Sequence, residues 1–320
     1  MSKIRVCFLG TPEFAVTSLK ALLADEHFEV VGVVTQPDRP AGRKLQLTPS
    51  PVKVLALSHG LKVLAPESLK ADQAVLDEIK SWGVEVGVVV AYGQILTQSF
   101  LDSFPFGCVN VHGSILPRWR GAAPIQRAIE AGDVESGVAL QKVVKKLDAG
   151  DILGVRRVKI GPEMDALQLH DELADLGAQL LRVELMDYVR GNLAAVPQDE
   201  SQVTIAKKIE KHESLIDWTT SAKAIDGKIR GFVYGPGVYT LLQGKKLKLH
   251  KATPVISGAD GVNTNAAPGT ITAIFPDHIS VACGEGVLKL YEVQPESRKR
   301  IQVADFLKGH ELKVGDKLGV

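Results

Sequence analysis

Ile4-Arg5-Val6-Cys7-Phe8-Leu9-Gly10-Thr11-Pro12 decides how the rest of the chain is read. A short apolar run stops at a glycine, and from Pro12 to about residue 24 apolar residues recur at helical spacing, which gives strand, turn, helix. The alternation repeats downstream. Apolar strands are expected at 28–35, 61–64 and 85–91, with a helix at about 70–82. Strands this apolar, separated by helices, belong to a parallel sheet covered on both faces. A further strand at 107–111 leads into a loop rich in Gly and Pro, and a helix follows at about 124–131. Extended segments at 137–144 and 152–160 are joined through Leu147-Asp148-Ala149-Gly150-Asp151. A helix at about 166–188, with Leu167, Leu173, Leu176 and Leu180 on one stripe, closes this half.

Residues 191–204 are polar, carry a proline and keep no period, so the domain boundary is placed there. Beyond it a helix at about 219–230 precedes short strands at 237–242, 246–250, 269–275, 278–283 and 287–293, a pattern that suggests a small β-barrel. Two domains also suit the length of 320 residues, since one core rarely serves more than roughly 150 to 250. With 45% hydrophobic and 23% charged residues there is apolar material for two cores and no sign of wholesale disorder. Cys7, Cys108 and Cys283 are far apart and set among apolar residues, which suggests neither a disulfide framework nor a metal knuckle. No run approaches the roughly 20 apolar residues of a membrane span, and Val6 to Leu9 is too short for a signal-peptide core. A cytoplasmic location is expected, or an organelle matrix if a transit peptide has been removed.

Ligands of open parallel sheets bind beyond the carboxyl ends of the strands. Asn110 and His112 alternate along one such end and point the same way, and Asp148 lies in a tight connection between the next two extended segments. An Asn, a His and an Asp suit acyl transfer to an amine. The amide and a protonated imidazole can donate to a tetrahedral oxyanion, while the carboxylate can hold the imidazole and help relay a proton. The plain alternatives stay open on spacing alone: a hydrogen-bonded structural His, and an Asp capping its own turn. No Ser or Cys lies in a nucleophile elbow, and one His with one Asp falls short of a zinc set, so no metal is expected.

Val109-Asn110-Val111-His112-Gly113-Ser114-Ile115-Leu116-Pro117, running into Arg118-Trp119-Arg120-Gly121-Ala122-Ala123-Pro124-Ile125, closely resembles the signature of methionyl-tRNA formyltransferases. The resemblance begins at Phe8-Leu9-Gly10-Thr11-Pro12-Glu13-Phe14-Ala15 and covers nearly the whole chain, through Leu147-Asp148-Ala149-Gly150-Asp151 to Ile216-Asp217-Trp218 and Ala267-Pro268-Gly269-Thr270-Ile271. It implies a Rossmann-like formyltransferase domain at 1–205, and at 206–320 a barrel of the oligonucleotide-binding type that holds tRNA. It implies formyl transfer from 10-formyltetrahydrofolate to the α-amino group of initiator methionyl-tRNA. Asn110, His112 and Asp148 would be the catalytic three, and Ser114, Ile115, Leu116 and Pro117 would line the folate site. A monomer is expected.

Two features bear on the acceptor. The polar loop at 36–51 carries Arg39, Arg43 and Lys44, and in the family this loop enters the acceptor end of the tRNA, with an arginine at the position of Arg43. Between Ile205 and Lys251 ten Lys or Arg face four Asp or Glu, in a chain with a net charge of only +1. Such a local excess suits a phosphate backbone, with Lys207, Lys208, Lys211, Lys245, Lys246, Lys248 and Lys251 as candidate contacts. Solvated surface lysines are the plain alternative. The chain departs from the family at Phe232-Val233-Tyr234-Gly235-Pro236-Gly237, where a tryptophan and one proline are missing, and in Lys44-Leu45-Gln46-Leu47. Rival readings are a formyltransferase for another amine, a pure RNA-binding module, and a dinucleotide-binding oxidoreductase. Gly10-Thr11-Pro12 lacks the Gly-x-Gly-x-x-Gly turn the last requires.

Overall fold

The structure is a computed structural model that describes residues 3–41, 45–70, 72–255 and 266–319. It has two compact units. The first comprises the chain up to Gly121, Glu135–Val158 and His170–Ala206; the second comprises Ala122–Val134, Lys159–Leu169 and the residues from Lys207 onward.

Seven strands form the sheet of the first unit: β1 (Ile4–Gly10), β2 (Phe28–Val34), β3 (Val63–Leu64), β4 (Val86–Val90), β5 (Cys108–His112), β6 (Glu135–Lys142) and β7 (Ile152–Lys159). Their order is β7-β6-β5-β4-β1-β2-β3. β1 pairs in parallel with β2 and β4, β2 with β3, and β4 with β5, whereas β5 and β6 are antiparallel. The apolar runs follow from this placement. Val6, Phe8 and Leu9 on β1 and Val86, Val88 and Val90 on β4 have no exposed surface, because helices cover both faces of the sheet. The main helices are α1 (Glu13–Ala24), α2 (Pro51–Ser58), α3 (Gln73–Ser81), α4 (Pro124–Glu130), α5 (Ala166–Val189) and α6 (Ala222–Gly231), with short helical turns at Gln98–Leu101 and Val303–Lys308. α1 packs on β1 and β2, and Ile79 and Trp82 at the end of α3 join a core with Cys7, Leu9, Phe100 and Cys108. Strand order reverses between β1 and β4, and there Thr11 Oγ1 and Gln36 Nε2 both donate to the Tyr92 carbonyl.

In the second unit β8 (Val238–Leu242), β9 (Lys245–Val255), β10 (Ile271–Ile274), β11 (Ile279–Ala282) and β12 (Val287–Pro295) form an antiparallel sheet in the order β8-β9-β12-β11-β10. The carboxyl-terminal segment closes it. Leu318 bridges Leu242 after β8 and Lys317 bridges Thr270 before β10, with Gly319 N–H donating to the Leu241 carbonyl and Ile271 N–H to that of Asp316. Inside lie Trp218, Phe232, Leu247, Leu249, Val281, Leu288, Leu290 and Phe306. Trp218 meets the need of a buried indole by donating to Thr240 Oγ1 at 2.9 Å.

The units are not consecutive stretches. Besides the boundary between Ala206 and Lys207, segments 122–134 and 159–169 belong to the second unit. α4 lies against α6 so closely that a Cβ on Gly227 would come within 2.7 Å of the Glu130 carbonyl oxygen. Arg230 donates to the Met164 carbonyl. Residues 191–204 are not a free linker either: Val196 pairs with Ile152 and Thr204 bonds the backbone of Trp119 and Arg120, all within the first unit. Those bonds are made by backbone and single polar side chains, which leave no periodicity to read.

Candidate active site

The pleat of β5 turns Asn110 and His112 to one face and buries Val109 and Val111 on the other. Across the antiparallel junction Asn110 lies opposite Gln141 and His112 opposite Ala139. Directly opposed residues share a face, so Gln141 joins the polar pair from β6. The Asn110 carboxamide is partly exposed, and among the described residues nothing else in the chain takes its hydrogen bonds.

His112 is 6% exposed, and one bond sets its ring: Nε2–H donates to the Trp119 carbonyl at 2.9 Å. A carbonyl can only accept, so the proton must sit on Nε2. Nδ1 then faces Asp148, whose Oδ2 lies 3.8 Å away. Trp119 adopts a left-handed φ of 62°, a conformation that costs a bulky residue about 1–3 kcal/mol. Its N–H donates to Thr204 Oγ1 at 2.8 Å and that of Arg120 to the Thr204 carbonyl at 2.9 Å, which holds the turn against the ring.

Asp148 does not cap its own turn. Its Oδ2 accepts the Gly121 N–H at 2.9 Å and its Oδ1 accepts Gln141 Nε2 at 3.1 Å, both from distant parts of the chain. Nor does it hold the imidazole directly, as the spacing of residue types suggested. At 3.8 Å the pair is too far apart for a hydrogen bond, and the Trp119 carbonyl does the holding. The connection that carries Asp148 depends on Gly150, where a Cβ would lie 1.8 Å from the Lys142 carbonyl oxygen. Trp119, Gly121 and Gln141 escape a reading by motif alone. Gln141 left a trace, as the single amide in its strand, directly after the apolar Val138-Ala139-Leu140.

In the loop after β5, Ser114 is 1% exposed and its hydroxyl donates to the Arg118 carbonyl at 2.6 Å, so it stabilises the loop itself. Leu116 is buried, while Ile115 and Pro117 remain partly exposed. What the stretch 114–117 offers a ligand is its backbone and the flank of Ile115. Arg39 lies in a short hairpin of Arg39–Ala41 with Gln46–Thr48 and pairs with Glu67 at 2.8 Å. Arg43 and Lys44 lie outside the described residues. In the second unit Lys207, Lys208, Lys211, Lys245, Lys246, Lys248 and Lys251 are all exposed. Lys246 and Lys248 stand outward on β9 while Leu247 and Leu249 between and beside them enter the core. Residues 233–237 of the departing segment border a cavity of about 140 Å³ together with Lys248 and His250. His250 is held below the usual imidazole range by burial.

The three cysteines are buried, and burial pushes the Cys283 thiol up to about 12 and Cys7 and Cys108 well above their ordinary range, which disqualifies them as nucleophiles at neutral pH. Among the described residues no cluster of three or more His, Cys, Asp or Glu could hold a metal ion, and no helix is long and apolar enough to cross a membrane.

Residues 2–185 match the family described as formyl transferase, and residues 208–311 match the formyl transferase C-terminal domain. The fold is thus that of a formyl-transferring enzyme. The methionyl-tRNA formyltransferase of Bdellovibrio bacteriovorus is 80% identical over 320 residues, the whole of both chains, and that of Myxococcus xanthus 45% identical over 317 residues, 99% of this chain and 98% of that one. The chain belongs to the methionyl-tRNA formyltransferase family. Solved structures of lower identity share the fold. WlaRD, a sugar 3N-formyl transferase crystallised with dTDP and 5-N-formyl-THF, has a TM-score of 0.66 at 18% identity over 93% of this chain and all of that one. HypX from Aquifex aeolicus, in complex with tetrahydrofolic acid, has a TM-score of 0.60 at 16% identity over 99% of this chain and 51% of that one.

Proposed function

We propose that Asn110, His112 and Asp148 catalyse direct transfer of the formyl group of 10-formyltetrahydrofolate to the α-amino group of initiator methionyl-tRNA. The observation that carries this reading is the pair of facing atoms, His112 Nδ1 and Asp148 Oδ2 at 3.8 Å, on the side of the sheet that also presents Asn110. At that distance the two atoms are not hydrogen-bonded to each other, so each can still meet a substrate group beside them. The donor set fits a formyl carbonyl that becomes an oxyanion: one amide, and one imidazole that, with Nε2 already donating to a carbonyl, donates from Nδ1 as the imidazolium.

The amine nitrogen attacks the formyl carbon and forms the new C–N bond. The C–N10 bond then breaks, its electron pair returns to N10, and a proton is passed from the former amine to N10. An α-amine titrates at roughly 8, and an adjacent ester lowers that further, so much of it is already neutral at physiological pH and little base strength is needed. The larger tasks are orientation and charge stabilisation, and the bonds from Gly121 and Gln141 hold the Asp148 carboxylate for both. The backbone of 114–117 would receive the folate. Arg39, Arg43 and Lys44 would meet the acceptor end of the tRNA, and the lysines of the barrel its phosphates. In this reading residues 1–205 carry the chemistry and 206–320 bind tRNA, and the enzyme works as a monomer in the cytoplasm.

The test is formylation of methionyl-tRNA by purified protein. His112→Ala and Asp148→Asn are each expected to lower kcat by roughly 10²- to 10⁴-fold with folate binding retained. A near-wild-type rate in either variant would remove that residue from the mechanism.

A further inference from the structure

Asp148 is placed only as well as the connection that carries it, and its φ of 48° lies in the left-handed region, where non-glycine residues are uncommon and Asp is among the more tolerant. From the stretch 191–204 the side chain of Gln198 supports this connection next to Asp148. Gln198 Nε2 donates to the Asp148 carbonyl at 2.8 Å and to the Gly150 carbonyl at 2.7 Å, and lies 3.3 Å from Gln141 Oε1. The other end of the same amide accepts two bonds from Arg120, Nε at 3.0 Å and a terminal nitrogen at 2.8 Å. The guanidinium is itself anchored, by Glu200 at 2.9 Å, and Arg120 is only 2% exposed. Glu200 in turn receives Lys146 at 2.6 Å.

These bonds converge on one residue. Gln198 fixes the carbonyl of Asp148 and that of Gly150 two residues further on, Gly121 next to Arg120 fixes Oδ2, and Gln141 fixes Oδ1. A buried cation on the Gln198 oxygen also polarises the amide and strengthens the donors at its other end. A residue needed only to tie down a loop would not require its donors aimed at the carbonyl of the carboxylate's own residue and at that of Gly150 just after it, nor a buried charge behind it.

We propose that Gln198, backed by Arg120, is a positioning residue for formyl transfer: it sets the Asp148 connection so that the carboxylate faces His112 Nδ1. The proposal rests on the catalytic reading of Asp148. Gln198→Leu removes the bonds at both ends of the amide, and Gln198→Glu keeps the length and the Arg120 partner but replaces the donating NH2 with an acceptor. Each is expected to lower kcat by roughly 10- to 100-fold, with KM for folate and for methionyl-tRNA within about twofold of wild type. In an Asp148→Asn background, measured in single turnovers at high enzyme concentration, the same changes should alter the rate by less than about twofold, because the group being positioned is already gone.

Gln198→Glu carries the test if the leucine variant fails to fold. A loss carried by KM, an equal loss in both backgrounds, or wild-type kcat in a folded Gln198→Glu protein each overturns the positioning role. Wild-type kcat in Asp148→Asn alone is a different result, and it strikes the catalytic reading itself.

Discussion

Gly121 ties backbone geometry to the chemistry of the site. Its φ of 121° is open to glycine, and a Cβ there would come within 2.7 Å of the Ala206 carbonyl oxygen. Its N–H also holds Asp148 Oδ2. Gly121→Ala must therefore shift the backbone and loosen that bond together. It is expected to destabilise the protein by about 1–3 kcal/mol and to lower kcat by more than the unfolded fraction accounts for. Urea unfolding and steady-state formylation, run on the same preparation, check both; unchanged kcat in the folded fraction would show that the N–H is not needed by the carboxylate. At this scale the sequence showed part of the site. Asn110 and His112 were legible because a strand's period places alternate residues together, and Asp148 because it lies in a tight connection between two extended segments, where a turn-capping role stayed open until the resemblance. The Trp119 carbonyl, the Gly121 amide and Gln198 were not, because backbone groups have no letter of their own and Gln198 lies where no hydrophobic period runs.

Helix α4 shows what elements add. Its Arg127 makes two bonds to Glu213, at 2.9 and 3.0 Å, and a third to Glu130 at 2.6 Å, and it also donates to the carbonyls of Lys207 and Lys208. Arg127 accordingly holds the Glu213 carboxyl at about 2, below its ordinary 4.5. A carboxyl depressed on folding contributes stability above its unfolded value, and that contribution is lost as pH falls through the folded one. Glu213→Gln should therefore destabilise the protein at neutral pH and lose most of its effect between pH 4.5 and 2. Thermal melts of both proteins across that range test this, and a difference independent of pH would mean the pairing is not what α4 relies on. The main strands, α1 and α6 were legible from apolar periods that match their burial; on α5 Leu173 and Leu180 are buried as that stripe requires, whereas Leu167 is 45% exposed. Helix α2 was missed inside the end of a polar loop, although Ser50 caps it through the Lys53 N–H and Pro51 occupies its first turn. Its eight residues bury only Val52 and Ala56, too few to set a period.

For the molecule as a whole, the interleaving of the two units decides how tRNA binding can be tested. Removing residues 206–320 would strip 122–134 and 159–169 of the elements they pack on, so a loss of binding would not separate contact from folding. Substitution on the outer face of the barrel avoids this. Lys246 and Lys248 are exposed on β9, and their neighbours Leu247 and Leu249 fill the core. The Lys246 ammonium lies over the Tyr239 ring, 4.7 Å from its centre, an exposed cation–π pair whose removal costs little. The double change Lys246→Ala, Lys248→Ala should leave the fold and kcat at saturating tRNA unchanged and weaken tRNA binding for elongator and initiator species alike. If both lysines neutralise phosphates, the slope of log K against log salt should fall by about 1 to 2, since each contact contributes roughly 0.7 to 0.9. Titrations from low to moderate salt measure that slope. A weaker Kd with an unchanged slope would mean that the face binds without meeting phosphates. An unchanged Kd would make these lysines what exposed cations on a sheet most often are, a solvated surface that resists edge pairing.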